Sequence, residues 1–191
     1  MDYTIIAIIS YFFGSIPSGF ILTKLILKKD IRKIGSGNIG ATNALRSGNR
    51  LIGYLTLILD IVKAVIPILY IKYNFPEIIF ISSLCVFLGH LFPIWLKFKG
   101  GKGVATYLGI ILTINIFFGI VFGIIWIIIY LVTKYSSLGS LMASAAIPLY
   151  VFFINGNNVF FYIIMFVLIF YTHRENIKRL INKEEIKTKI Y

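Results

Sequence analysis

The run VATYLGIILTINIFFGIVFGIIWIIIYLVT, residues 104–133, has no charged side chain and determines how often the chain crosses a membrane. A single helix of this length would extend about 45 Å, whereas the hydrocarbon core of a bilayer is about 30 Å thick. The run is therefore either one tilted helix or two shorter ones. Asn115 and Gly119 indicate a turn between two helices. Gly119 and Gly123, however, form a small-xxx-small pair that suits close packing of one helix.

The composition of the whole chain points to a membrane protein. Of its 191 residues, 59% are hydrophobic and 14% are charged, and the mean hydropathy is +0.91. Soluble domains contain about 45–50% apolar and about 25% charged residues, and disordered chains are poorer still in apolar residues. The sequence therefore predicts an all-α, polytopic transmembrane helical bundle that forms a single domain over residues 1–191. The other apolar segments are residues 3–27, 51–71, 78–96, 138–154 and 158–171.

Most of the positive charge lies between or after the apolar segments. Nineteen Lys and Arg residues against seven Asp and Glu residues give a net charge of +12. The basic residues cluster around residues 24–50, in residues 97–102 and in the tail from residue 174. This is the positive-inside pattern of membrane proteins. It predicts the lipid bilayer as the surroundings of the chain and no nucleic-acid partner.

The same rule predicts the topology, because the three basic regions should share one side of the membrane. The chain must then cross the membrane an even number of times between residue 103 and the basic tail. Segments 138–154 and 158–171 provide two crossings, so the run 104–133 is predicted to form two helices. We therefore expect about seven transmembrane helices, with the N-terminus outside and the C-terminus cytoplasmic. Four polar sequences then meet at the cytoplasmic face, where we expect one site: residues 35–43, 99–103, 136–140 and 173–176.

One of these sequences, the second loop (residues 97–103), is glycine-rich and precedes a predicted helix. Backbone N–H groups, the start of the helix and Lys102 can all point at one phosphate. The loop is not a P-loop, because Leu96 and Gly103 replace the Gly and the Ser or Thr of that motif. The structural alternative is a flexible basic loop that faces anionic lipid headgroups.

The first loop (residues 35–46) also has the composition of an anion site. It contains three glycines with short polar side chains and ends at Arg46, whose guanidinium suits bidentate phosphate binding. The structural alternative is a turn followed by a helix N-cap, since Ser, Asn and Thr also begin helices. The polar side chains are those of Ser36, Asn38, Thr42 and Asn43.

Isolated ionisable residues inside apolar segments have two interpretations. Asp60 and Lys63 lie three residues apart and therefore share one helix face. They form either a functional site or a structural ion pair. His90 and His173, taken alone, are more typical of packing or interfacial positions. The chain has no Asp-x-x-Asp pair and no His-x-x-x-x-Asp pair. Without a pair of carboxylates to hold it, we expect no bound metal ion. Without the histidine–aspartate pair, the sequence is a poor match to the acyltransferases that use acyl-CoA and that pair.

Five motifs follow one another along the chain at specific spacings. They are GSIPSG at 14–19, DIR at 30–32 leading into GSGNIGATN at 35–43 with Arg46, GHxFP at 89–93 leading into KGGKGVAT at 99–106, SSLxS at 136–140 and HxxNIxR at 173–179. Together they resemble the bacterial acyl-phosphate:glycerol-3-phosphate acyltransferase family, and the resemblance covers the chain from end to end.

The resemblance implies a multi-pass enzyme of the bacterial cytoplasmic (inner) membrane with its active site facing the cytoplasm. Such an enzyme transfers a fatty acyl group from acyl phosphate to the sn-1 hydroxyl of glycerol 3-phosphate. The products are lysophosphatidic acid and phosphate, in the first step of phospholipid synthesis. The resemblance further implies no cofactor, two small-molecule substrates, and association with the enzyme that produces acyl phosphate.

The resemblance also implies roles for individual residues. The catalytic residues would be Ser36, Arg46, Lys102, His173 and Asn176. Glycerol 3-phosphate would be bound by Ser36, Asn38, Thr42, Arg46, His173 and Asn176. Acyl phosphate would be bound by Gly100, Gly101, Lys102, Gly103, Thr106 and Ser140. Supporting roles fall to His90, Ser137 and Glu185, and no residue is assigned to a metal.

The chemistry of the two loops fits this role. Acyl phosphate is a mixed anhydride with a good leaving group, so positioning and charge neutralisation are the main requirements. The sequence shows no Ser-His-Asp arrangement, and we expect direct attack without an acyl-enzyme. The proton goes either to a phosphate oxygen of the donor or to His173 as general base. Two other classes stay open: a small anion or phosphate transporter and a non-catalytic lipid-binding subunit.

Overall fold

The computed structural model describes residues 2–188, and this part of the chain is helical with no strand. The predicted all-α class is therefore confirmed. Three short 3-10 turns, Ile31–Lys33, Pro76–Ile78 and Ile94–Leu96, lie between the α-helices. The helices are α1 Tyr3–Gly14, α2 Ser18–Leu27, α3 Ala41–Leu45, α4 Arg50–Asn74, α5 Ile79–Leu91, α6 Val104–Ile114, α7 Ile116–Thr133, α8 Ser136–Phe153, α9 Val159–Thr172 and α10 Arg174–Ile181.

The chain divides into two compact units, the first ending at Ile114 and the second beginning at Asn115. Five segments are long and apolar enough to cross a membrane, and α6 and α9 are shorter apolar helices. Crossing the membrane seven times requires both short helices to span it as well, so the number of seven crossings stays a prediction. The orientation in the membrane and the single domain also stay predictions. The long segments are Tyr3–Leu27, Arg50–Asn74, Pro76–Leu96, Ile116–Thr133 and Ser136–Phe153.

The run 104–133 forms two helices, as the charge parity predicted. Asn115 leaves the helical conformation, with φ −150° and ψ 120°, between α6 and α7. Its side chain accepts a hydrogen bond from the backbone N–H of Phe117 at 2.9 Å. An asparagine at this position satisfies an N–H group that the first turn of a helix leaves unpaired. The polar residue that interrupts the apolar run therefore begins α7.

The first unit contains a close crossing of α1 and α5 where glycines replace side chains. A Cβ atom on Gly14 would collide with the backbone of Val86, and one on Gly89 with the carbonyl of Tyr11. Immediately after Gly14 the first apolar segment is interrupted at residues 15–17 before α2 begins. The proline in this interruption has no N–H group to continue the helix. The GSIPSG motif thus brings a helix break next to α5.

The second unit packs α8 between α7 and α9 around aromatic side chains. The ring of Phe118 meets the rings of Tyr150 and Tyr162 edge to face, at centroid distances of 5.9 and 5.5 Å. Edge-to-face packing is a favoured arrangement of aromatic rings. The opposite face of α7 is apolar yet exposed, as expected of a helix that faces lipid. Its exposed side chains include Ile120, Ile124, Ile127, Ile128 and Leu131.

Candidate functional site

The first loop is organised by the buried side chain of Asn43. Its Oδ1 accepts a hydrogen bond from the backbone N–H of Ser36 at 2.9 Å. Its Nδ2 donates to the carbonyl of Asn38 at 2.7 Å and to that of Ile34 at 2.9 Å, with the carbonyl of Ile31 at 3.2 Å. A single amide thus uses both its acceptor and its donors to close the loop.

Glycine is required where the first loop turns back towards this amide. Gly35 has φ +52°, and a Cβ atom there would collide with Oδ1 of Asn43 and lie 3.0 Å from the Arg46 side chain. Only glycine adopts this left-handed conformation without steric cost. The loop leaves Ser36 exposed and places Asn38, Thr42 and Arg46 at half-buried positions around the short helix α3.

The second loop is held by backbone hydrogen bonds to the end of α5. The N–H of Gly100 donates to the carbonyl of Leu91 at 3.0 Å, and that of Gly101 donates to the carbonyl of His90 at 3.1 Å. Gly103 has φ +86° and leads directly into α6, with Lys102 half-buried at the turn. Since the glycine N–H groups at 100 and 101 are used within the protein, an anion would meet Lys102 and the start of α6, because the first N–H groups of a helix have no partner within the helix.

The two loops lie at the same end of the first unit because their apolar residues share one cluster. Ile31 and Ile39, which flank the start of the first loop, pack with Ile52 of α4 and with Leu96, which immediately precedes the second loop. Thr106, predicted to bind the donor, is fully buried in α6. The structure therefore brings the two predicted anion loops together through an apolar cluster that no local sequence pattern identifies.

A buried charged cluster lies next to the second loop. The Nζ atom of Lys63 is 2.8 Å from Oδ1 of Asp60 and 2.8 Å from Nδ1 of His90. It also donates to the backbone carbonyl of Ile16, in the break between α1 and α2, at 2.7 Å. The predicted one-face pair of Asp60 and Lys63 is thus an ion pair in the structure. Within residues 2–188, no three His, Cys, Asp or Glu side chains are grouped to hold a metal ion.

In the second unit, Glu185 joins three predicted or motif residues. Its Oε1 accepts hydrogen bonds from Ser137 at 2.8 Å and from Asn176 at 2.7 Å, and its Oε2 pairs with Nε of Arg179 at 2.7 Å. The carboxylate is only 5% exposed. Burial acts to raise the pKa of Glu185, but the hydrogen bonds from Asn176, Arg179 and Ser137 outweigh it and lower the pKa. The tail is therefore anchored by an ionised carboxylate.

Two further predicted residues of the second unit are fixed by hydrogen bonds. The buried His173 places Nδ1 2.8 Å from the carbonyl of Ile169. Because a carbonyl only accepts, Nδ1 carries the proton, and in the neutral ring Nε2 is the basic nitrogen. Ser140 donates to the carbonyl of Ser136 at 2.9 Å and accepts from Nε1 of Trp126 at 3.2 Å. The donor of Ser140 is thus used within α8.

The sequence does not indicate the structural roles of three residues that organise these sites. Asn43 and Arg179 lie inside the sequence motifs at 35–43 and 173–179, and this position is what marks them as candidates in the sequence. Trp126 carried no signal, because it is one aromatic residue in an apolar helix. The partnership of His90 with Lys63 was also missed, since 27 residues separate the two along the chain.

Known proteins match the chain over nearly its whole length. The family model described as glycerol-3-phosphate acyltransferase matches residues 4–183. A glycerol-3-phosphate acyltransferase of Pelagibacter ubique is 67% identical over 191 residues, which cover 100% of both chains. One of Bartonella henselae is 49% identical and covers 96% of this chain and 90% of its own.

Two crystal structures share the fold. PlsY (YgiH), an integral membrane glycerol 3-phosphate acyltransferase, in its glycerol 3-phosphate form has a TM-score of 0.93 and 36% identity, with coverage of 97% of this chain and 95% of its own. The lysophosphatidic acid form of the same protein has a TM-score of 0.88 and 35% identity, with coverage of 96% and 94%. The similarity thus extends over sequence and fold alike.

Proposed function

The chain belongs to the glycerol-3-phosphate acyltransferase family, and from that premise we propose that its acyl donor is an acyl phosphate and its acceptor the sn-1 hydroxyl of glycerol 3-phosphate. The products are lysophosphatidic acid and inorganic phosphate. The observation that carries the donor assignment is the second loop. Its glycines bend the chain against α5 and into α6, which places the cationic Lys102 beside the start of a helix, where a phosphate is favoured.

The reaction needs little from the protein beyond placement and charge. The hydroxyl oxygen of glycerol 3-phosphate bonds to the acyl carbon, the bond from that carbon to the phosphate oxygen breaks, and phosphate leaves. Both substrates are phosphorylated, so cationic groups such as Lys102 and Arg46 offset the repulsion between the two substrates. The same groups hold the hydroxyl oxygen close to the acyl carbon. This role is supported by the shared apolar cluster, which holds the loop that carries Arg46 next to the loop that carries Lys102.

The hydroxyl proton has two candidate acceptors. One is a phosphate oxygen of the donor, which leaves with the proton as hydrogen phosphate. The other is Nε2 of His173, whose opposite nitrogen is held by the carbonyl of Ile169. If His173 is the base, His173→Ala lowers kcat over the whole pH range and removes a limb of the pH profile near neutrality. Unchanged turnover would reject that assignment.

The cellular setting is part of the same proposal. The chain is a multi-pass membrane protein, and the basic residues around its two loops favour a cytoplasmic active site in the inner membrane. Lipid donor and lipid product exchange with the bilayer, while glycerol 3-phosphate enters from the aqueous side. An enzyme that makes acyl phosphate is the expected partner, since the donor is a reactive mixed anhydride.

The proposal is tested by turnover of the purified, detergent-solubilised protein. Long-chain acyl phosphate and labelled glycerol 3-phosphate are supplied, and acyl-CoA replaces the donor in a parallel reaction. We expect labelled lysophosphatidic acid from acyl phosphate alone. Product from acyl-CoA alone would overturn the donor assignment. The position of the acyl group follows from digestion of the product with positionally specific lipases.

A further inference from the structure

The ammonium group of Lys63 sits among three acceptors from three parts of the first unit. Oδ1 of Asp60 lies at 2.8 Å, Nδ1 of His90 at 2.8 Å and the carbonyl oxygen of Ile16 at 2.7 Å. An ammonium carries three N–H donors and no acceptor. One buried cation therefore links α4, the end of α5 and the break between α1 and α2.

Such a cluster is costly in a membrane-spanning region. The side chains of Asp60, Lys63 and His90 are 3%, 5% and 4% exposed. Removing two charges from water is strongly unfavourable before their mutual attraction is counted. Helix packing alone does not require it, since α1 and α5 also meet through neutral Ser10 and Ser82, whose hydroxyl oxygens are 2.7 Å apart. The charges therefore call for a role beyond holding helices together.

His90 carries the connection from this cluster to the second loop. Because Lys63 only donates, Nδ1 of His90 accepts and the ring proton lies on Nε2. The Nε2 edge of the ring faces Gly101 so closely that a Cβ atom on Gly101 would collide with it. The backbone carbonyl of the same histidine accepts the N–H of Gly101 at 3.1 Å. Gly101 is thus fixed on one side by a ring and on the other by a hydrogen bond.

We propose that Asp60 and Lys63 act through His90 as positioning residues for the second loop, setting the place of Lys102 for the phosphate of the acyl donor. The inference rests on the proposed function, because it concerns how the donor phosphate is held. The ion pair orients the imidazole, the imidazole edge defines the path of Gly101, and Lys102 follows as the next residue. None of the three positioning side chains needs to touch substrate.

The decisive variant is His90→Asn. Asparagine keeps an acceptor at the position of Nδ1 for Lys63 but is too short to reproduce the ring edge at Gly101. We expect the KM for acyl phosphate to rise about tenfold, with the KM for glycerol 3-phosphate within twofold of wild type, because only donor placement is disturbed. Asp60→Asn, which removes the counter-ion of Lys63 with little change of shape, should shift the same KM.

A double variant tests the path through Gly101. Gly101→Ala places a methyl group against the His90 ring and should reduce donor use strongly in the wild-type background. In the His90→Asn background that methyl group has room, so the same substitution should cost much less. Independent, multiplicative losses would overturn the proposed path.

Ser82→Ala is the matched control. It removes a buried polar contact between α1 and α5 away from the loop, and it should lower thermal stability without moving the donor KM. If Ser82→Ala raises the donor KM as much as His90→Asn does, the cluster is merely structural. Wild-type protein that does not use acyl phosphate would refute the proposed function. Wild-type turnover with an unchanged donor KM in His90→Asn and Asp60→Asn would refute the positioning role alone.

Discussion

The first loop is held by one side chain, whereas the second is held by backbone and by the absence of side chains. Asn43 makes the hydrogen bonds that close the first loop. In the second loop, the N–H groups of Gly100 and Gly101 reach the carbonyls of Leu91 and His90. The contrast predicts opposite sensitivities: the first loop fails when atoms are removed, and the second fails when atoms are added.

The largest effect is expected from adding a methyl group to the second loop by Gly100→Ala. Its Cβ atom would collide with the carbonyl of His90 and lie 2.6 Å from that of Leu91, and backbone cannot move aside as a flexible side chain can. Misplacing a catalytic group by about 1 Å costs about 100-fold in rate, and we expect a loss of that size in the initial rate of lysophosphatidic acid formation.

Gly123→Ala provides the control for this substitution, because a Cβ atom on Gly123 of α7 meets nothing within 4 Å. It should retain wild-type activity. A Gly100→Ala protein that is as active as this control would show that the second loop tolerates added atoms and would break the comparison.

The second-largest effect is expected from removing the amide of the first loop by Asn43→Ala. At about 0.7 kcal/mol net for each of its three shortest hydrogen bonds, loss of the set amounts to about 2 kcal/mol and should lower kcat/KM for glycerol 3-phosphate by about 30-fold. Asn43→Asp should be no better, because it keeps the acceptor for Ser36 but turns an oxygen towards carbonyl oxygens. Asn74→Ala, which removes one exposed bond to Tyr70, should change little. Full activity in Asn43→Asp would exclude the donated bonds as the support of this loop.

A third prediction separates what the two loops bind. Lys102→Ala should raise the KM for acyl phosphate about tenfold, and Arg46→Ala should raise that for glycerol 3-phosphate by a similar factor, as expected for loss of one hydrogen bond to a charged group. Steady-state kinetics with each substrate varied in turn measure the two values. Equal losses for both substrates in both variants would mean that the loops do not divide the substrates.

The smallest effect is expected at Asp30, which precedes the first loop. Hydrogen bonds from the Arg32 guanidinium lower the pKa of Asp30 to about 2. A lowered pKa stabilises the folded chain above the unfolded value of 3.8, and this contribution disappears as the pH falls through about 2. The pair is partly exposed, so Asp30→Asn should change activity by less than about twofold.

The pH dependence provides the check on Asp30. The difference in thermal unfolding temperature between wild type and Asp30→Asn should be constant from pH 5 to 8. If this difference in unfolding temperature changes between pH 5 and 8, the charge of Asp30 supports the first loop in addition to the hydrogen bonds of Asn43.

Much of the fold was predictable because hydropathy and charge act locally along the chain. Long apolar segments indicated the helices, and the basic loops required the run 104–133 to divide. Asn115 begins α7 as its residue type predicts. The organisation of the sites was less predictable. Glu185 and Ser137 are 48 residues apart, and no local pattern pairs them.

The sequence by itself therefore determined a helical membrane protein with two glycine-rich anion loops and the resemblance that names its family. Tertiary structure alone decided that Asn43 supports the first loop, that Lys63 meets His90, and that His90 lies against Gly101. The physical reason is that residue type and spacing fix which helices form, whereas a buried polar group must take as its partner whichever donor or acceptor the packing of those helices brings within hydrogen-bonding distance.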